Sequence, residues 1–309
     1  MRPFDLLIPN TLDEALALLT DLGGRPIAGG TDLIPLMHTD KFRPEQLIDL
    51  SRLSALRHIR HEGDGLVRIG ALTTHAQLET SALLWQQATA LAQAARSVGG
   101  VQTRQRGTLG GNLVHASPAA DVALALLALE AQVTLHSLSG ARQLPLSEFL
   151  TGPGQTARHD DELLTQVSFV MPGPASGSAF RKLGKRSAMI IAVVGVAAVL
   201  LLGDGLIQDA RIALGSVAPT VIRAPQAEAL LRGQPPGEAL FRKAGEVAQG
   251  EAQPIDDFRA SAEYRRRMVG VLTRRALGEA YDQARDRINT PGITRNSLSM
   301  PPQHNRCNM

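Results

Sequence analysis

Two glycine-rich stretches carry the first chemical signal in this chain: Ala28-Gly29-Gly30-Thr31-Asp32 and Gly107-Thr108-Leu109-Gly110-Gly111-Asn112. Glycine lets a backbone take positive φ and lets a ligand come close to the main chain. Successive amides in such turns form concave anion sites without any lysine. Either stretch alone is compatible with an ordinary turn. The pair, with hydroxyl and amide side chains attached, suits the two phosphates of a dinucleotide. The other nucleotide signatures are missing. No G-x-G-x-x-G follows a strand, and Gly184-Lys185-Arg186 lacks the upstream glycine and the trailing Ser/Thr of a Walker A loop. His38, His75 and His159 show no metal-ligand spacing and read as surface residues, and no Ser/His/Asp arrangement is indicated. The single cysteine, Cys307, excludes an intrachain disulfide framework, a zinc site on paired cysteines and an iron–sulfur cluster held by this chain alone. That usage fits a reducing, cytoplasmic setting.

The elements that must position these turns follow from periodicity and caps. Thr11 to Glu14 reads as a capping box before an apolar helical face, and Gly23-Gly24 ends that helix. Residues 25–28 and 46–50 read as short strands, giving a small α/β unit over residues 1–52. In a second unit over 53–172, residues 66–71 and 163–170 read as strands and 133–144 as a hairpin turning at Ser139-Gly140. Thr74 caps a helix with Gln77, residues 88–98 form another helix, and Ser117-Pro118 is expected to open a further helix through Glu130. Pro172 to Gly177 is the linker. Beyond it, residues 188–202 read as a buried strand: the run is rich in β-branched residues and shorter than a membrane span. A Gly203-Asp204-Gly205 turn, a strand over 206–214 and three helices near 224–231, 237–249 and 261–286 complete an α+β unit. The polar stretch 287–309 is expected to be a disordered tail.

Composition narrows the classes. At 309 residues the chain is sized for two domains, and 44% hydrophobic against 20% charged residues rules out global disorder. Only 3% are aromatic, which argues against base-stacking platforms and nucleic acid as partner. Up to residue 176 there are 13 basic and 17 acidic residues; beyond it, 19 and 12. The excess is scattered arginine and reads as solvated surface.

The residues so far place the chain in a resemblance. Ile27-Ala-Gly-Gly-Thr-Asp-Leu33, Arg106-Gly-Thr-Leu-Gly-Gly-Asn112 and Ala116-Ser-Pro-Ala-Ala-Asp121, in this order, resemble the FAD-binding (medium) subunits of molybdenum hydroxylases, the xanthine, carbon monoxide and nicotinate dehydrogenase family. Thr151 to Gly154, Asp161 to Leu164 and Phe180 to Ala192 match further, so the resemblance spans about residues 1–286. It implies an α+β fold: an N-terminal FAD-binding region of two α/β subdomains, of the vanillyl-alcohol oxidase (PCMH) type, over 1–172, and a C-terminal antiparallel sheet with three helices over 177–286. It implies that Ile27, Ala28, Gly29, Gly30, Thr31, Asp32 and Leu33 wrap the FAD pyrophosphate, with Thr108, Gly111 and Asn112 opposite. His115 takes a cofactor-contacting position, although a satisfied loop histidine is an equal reading. Asp121 faces the adenosine part. Val98 and Gly99 lie against the isoalloxazine or ribityl chain. Leu164 and Lys182 flank the adenine and flavin regions, although capping acid and solvated lysine are the plain readings of Asp121 and Lys182.

The resemblance further implies a cytoplasmic heterotrimer. A large partner carries the molybdenum cofactor, a small one carries two [2Fe–2S] clusters, and this chain passes electrons to NAD+ or another acceptor, in xanthine dehydrogenase fashion. Two departures matter. The cysteines by which some relatives hold an extra cluster are absent, and Ile190 stands where relatives often carry Asp, which leaves the acceptor open. A free-standing flavin oxidase of the same fold, or a scaffold that has lost FAD, remain as alternatives.

Overall fold

The computed structural model describes residues 2–186 and 189–289. Its first unit is a three-stranded parallel sheet in the order Asp5–Leu7, Gln46–Asp49, Arg25–Ile27. The helix Leu12–Leu22 buries Ala15, Leu16 and Leu19 against it. Thr11 caps that helix by accepting from the Glu14 amide, while the Glu14 carboxylate accepts from the Asn10 amide rather than from Thr11. Gly23, at φ +63°, ends it in the left-handed conformation that glycine adopts without strain.

The second unit is a five-stranded sheet, antiparallel throughout, in the order Ile59–His61, Leu66–Gly70, Leu163–Val170, Gln132–Ser137, Gly140–Pro145. Its helices enter between the second and third strands in sequence. They include Thr89–Arg96 and Asp121–Ala128, whose alanine- and leucine-rich faces make the large central core.

The third unit is a four-stranded antiparallel sheet in the order Ser176–Leu183, Val194–Gly203, Leu206–Gly215, Ile222–Arg223. Alternation explains its apolar composition. Ala197 and Val199 face the central core, whereas Val194, Val196, Ala198 and Leu200 face the C-terminal helices Glu238–Glu251 and Ala262–Asn289. A strand buried on both faces reads as an unbroken apolar run. The last helix approaches closely because Gly177 lacks a side chain: a Cβ there would collide with the Ala280 carbonyl. Among the described residues no helix is long and apolar enough to cross a membrane.

Four expectations need correction. The second glycine stretch is not a loop. It is the first turn of the helix Leu109–His115, with Thr108 as N-cap. Ser117-Pro118 does not open a helix, because Ser117 Oγ accepts from the Ala119 amide and closes a turn after Ala116, which sits at φ +50°. The helix begins instead at Asp121. The strand expected over 188–202 starts at Val194, and Ile190 and Ile191 belong to the connection before it; Ala188 lies outside the described residues. The helix expected to stop at 286 runs to Asn289, with Arg287 donating to the carbonyls of Ser176 and Gln86. The tail residues 290–309, including Cys307, lie outside the described residues.

Candidate functional site

The two glycine stretches meet. A Cβ on Gly29 would collide with the Arg106 carbonyl and come within 3.0 Å of Gly107 Cα. Their contact therefore requires glycine. A second link joins their far ends, where Nδ1 of His115 lies 2.8 Å from Oδ2 of Asp32. Thr31 Oγ1 approaches the same crossing, 3.4 Å from the place a Gly107 Cβ would take.

The stretches differ in what they offer a ligand. In the second, the amides of Leu109 and Gly110 donate to the carbonyls of Thr73 and Ala71, at 2.9 and 2.8 Å. Gly111 donates to Thr108 Oγ1 at 3.2 Å and Asn112 to the Thr108 carbonyl at 3.0 Å. The remaining polar group of note is the Asn112 side chain, whose buried Oδ1 has no partner among the described residues. In the first stretch the situation is reversed. Ile27 ends its strand paired with Asp49, and Ile34 and Leu36 donate to the carbonyls of Gly30 and Asp32 as the helix Leu33–His38 begins. The amides of Gly29, Gly30, Thr31, Asp32 and Leu33 find no acceptor among the described residues. Five consecutive unengaged donors, two of them on glycines, form a backbone nest for an anion.

A second group of expected residues gathers at the other end of the short helix Val101–Arg106, about 9 Å away at 1.5 Å per residue. Val98 and Gly99 make the turn before it, and Gly99 takes φ +48°. Lys182 Nζ, from the third sheet, donates to Asp121 Oδ2 at 2.6 Å and to the Ser97 carbonyl at 3.2 Å, and Ser97 Oγ donates to Asp121 Oδ2 at 2.9 Å. Both charged side chains are buried, and burial pushes the Asp121 carboxyl above its ordinary range against the pull of Lys182. Asp121 and Lys182 were expected at opposite parts of the cofactor, yet they are bonded to each other. Leu164 stands apart. It packs into the central core opposite Leu135, beside a register shift in its strand.

Reasoning from sequence placed His75 on the surface, whereas it is 2% exposed. Its ring abuts Gly107, its Nδ1 is buried without a partner, and burial, aided by Arg104, lowers its pKa to about 4. Thr74 at the N-cap turns the helix His75–Thr80 inward through a reciprocal capping box with Gln77. Ser97, Glu79 and Arg104 were also missed. Local sequence holds no signal for them, because their role depends on carbonyls and helices brought together from elsewhere.

The residues suit FAD on this geometry: a nest for a diphosphate, an orphaned amide oxygen in the glycine stretch packed against it, free to accept from a ligand hydroxyl, and a glycine turn at helix-length distance for a ring. The comparisons agree. The family model for the FAD binding domain in molybdopterin dehydrogenase matches residues 2–171, and that for the CO dehydrogenase flavoprotein C-terminal domain matches 178–280. The 6-hydroxypseudooxynicotine dehydrogenase complex subunit alpha of Paenarthrobacter nicotinovorans is 35% identical over 92% of this chain and 97% of its own length. The xanthine dehydrogenase FAD-binding subunit of Escherichia coli O157:H7 is 34% identical over 89% of this chain and 94% of its own. A chain in the solved structure of carbon monoxide dehydrogenase from Hydrogenophaga pseudoflava superposes with a TM-score of 0.87 at 35% identity, covering 92% of this chain and 99% of that one. This chain belongs to the family of FAD-binding subunits of molybdenum hydroxylases. It is an oxidoreductase subunit whose cofactor is FAD.

Proposed function

We propose that this chain is the electron-transfer flavoprotein of a cytoplasmic heterotrimer. A large subunit with the molybdenum cofactor would oxidise the organic substrate, and a small subunit with [2Fe–2S] clusters would relay the electrons. FAD held by these residues would supply the one- and two-electron redox chemistry that links the clusters to NAD+ or another acceptor. The assembly is of the xanthine dehydrogenase-like kind, its large subunit hydroxylating a purine, an N-heterocycle or an aldehyde. The domain division at 172–177 is part of the proposal, supported by the separate spans of the two family models.

The observation that carries the reading is the row of unengaged amides from Gly29 to Leu33, which begins where Gly29 packs against Arg106 and Gly107. The chain's own residues would then divide the work. Ile27, Ala28 and the five amides hold the diphosphate. Asn112, beside Thr108 and Gly111, closes it from the opposite side, and the His115–Asp32 contact ties the two turns together. Val98 and Gly99 face the ring, with Lys182 and Asp121 behind them, while Leu164 would act only through the central core in which it is packed. Native purification tests the assembly: a cysteine-rich small chain and a large chain should accompany this one, with flavin absorbance in equimolar amount. A colourless chain that stays monomeric and binds no added FAD would contradict the proposal.

A further inference from the structure

The turn at Val98–Gly99 is held by two cations from different elements. Lys182 takes the Ser97 carbonyl. Arg104 Nη1 takes the next carbonyl, that of Val98, at 3.2 Å. Arg104 Nε donates to Glu79 Oε2 at 2.6 Å, and the two side chains are only 13% and 22% exposed. Glu79 is itself fixed, because Trp85 Nε1 donates to its carbonyl at 2.7 Å. Arg96, at 3.9 Å from Glu79 and half exposed, is a weaker third member.

This arrangement has a stereochemical consequence. The C=O and N–H of one trans peptide point in opposite directions. With the Val98 carbonyl drawn to Arg104, the Gly99 N–H of the same peptide points away from Arg104, and it has no acceptor among the described residues. Gly99 takes φ +48°, and a Cβ there would press on Thr103 at 2.9 Å, so the turn requires glycine. The turn thus offers a donor, backed by a partly buried ion pair that little solvent screens.

We propose that Glu79 and Arg104 are positioning residues that orient the Gly99 N–H toward the flavin ring and set how tightly this chain holds reduced relative to oxidised FAD. The inference rests on the site assigned above. The reduced ring carries the more negative charge. Glu79→Gln leaves Arg104 without its counter-ion and favours the reduced form. Arg104→Gln leaves Glu79 bare, frees the Val98 carbonyl and disfavours it. Each change is expected to alter the ratio of the two affinities about tenfold, equivalent to about 30 mV for a two-electron couple.

The test is a dye-equilibrated reductive titration of the full chain reconstituted with FAD, for the wild type, each single variant and the double variant. The midpoint potential should rise in Glu79→Gln, fall in Arg104→Gln and lie between them in the double variant. A merely structural role predicts weaker FAD binding in both, with no opposed shifts. FAD-loaded variants whose potentials move the same way, or not at all, overturn the inference and leave the site intact. If Arg104→Gln does not retain FAD, Glu79→Gln decides alone, and a potential that fails to rise overturns the inference. A wild-type chain that binds no FAD overturns the site itself, and this inference with it.

Discussion

His75 makes stability depend on pH in a way that can be isolated. Its ring is 2% exposed, and its pKa falls from 6.5 to about 4, mainly through burial and secondly through the positive charge of Arg104. Below pH 6.5 the unfolded chain takes up a proton that the folded chain refuses. The neutral ring's contribution is therefore fully present above 6.5 and is lost as pH falls toward 4. A shift of about 2.5 units corresponds to about 3.4 kcal/mol in full, and to about 2 kcal/mol between pH 7 and pH 5. The assay is urea unfolding of the FAD-free chain at those two pH values, followed by Trp85. This residue is the chain's single tryptophan, and it hydrogen-bonds to the helix that carries His75. Carboxylates elsewhere add their own pH dependence to wild type and variant alike, so the difference between wild type and His75→Gln is the reading. The variant should lose about 2 kcal/mol less than wild type between pH 7 and pH 5. Equal losses would refute the reasoning, whatever the variant's stability at pH 7.

Three further changes probe the site. Gly29→Ala places a methyl group against the Arg106 carbonyl, which is backbone and cannot rotate aside. Thermal unfolding should show a loss of about 1–3 kcal/mol together with weaker FAD binding by absorbance titration, and a variant that binds like wild type would show that the turns are not in contact. Lys182→Met strands a buried carboxylate at Asp121 and should destabilise the chain by about 3–5 kcal/mol at pH 7, with partial recovery in the Lys182→Met/Asp121→Asn pair; additive losses in the pair would argue against coupling. Asn112→Leu removes a buried oxygen that has no partner. Equilibrium dialysis should show FAD affinity about tenfold weaker, with apo stability kept, as for loss of one hydrogen bond of about 1.4 kcal/mol; unchanged affinity would remove Asn112 from the site.

The local devices of the fold were legible in the residues themselves. The Thr74–Gln77 capping box, the left-handed Gly23 and the hairpin at Ser139-Gly140 each depend on neighbours a few positions away. The three C-terminal helices were legible for the same reason. Asp5–Leu7 was not, since three residues paired in parallel with Gln46–Asp49 carry too little pattern of their own. Leu109–His115 was hidden because two glycines in its first turn read as loop; the carbonyls of Ala71 and Thr73 satisfy its leading amides and make a helix possible there.

The amino-acid order by itself determined that two glycine stretches exist, that each lacks the side chains which would block a ligand, and that the family's motifs occur in sequence. Only the tertiary structure decided which of those stretches still has amides to give, that Asp121 and Lys182 are bonded to each other, that His75 is buried against Gly107, and that Glu79 pairs with Arg104. The division has a physical cause. Steric permission is a property of single residues and short spacings, whereas the availability of a donor and the partner of a buried charge depend on which distant groups the folded chain has already brought to them.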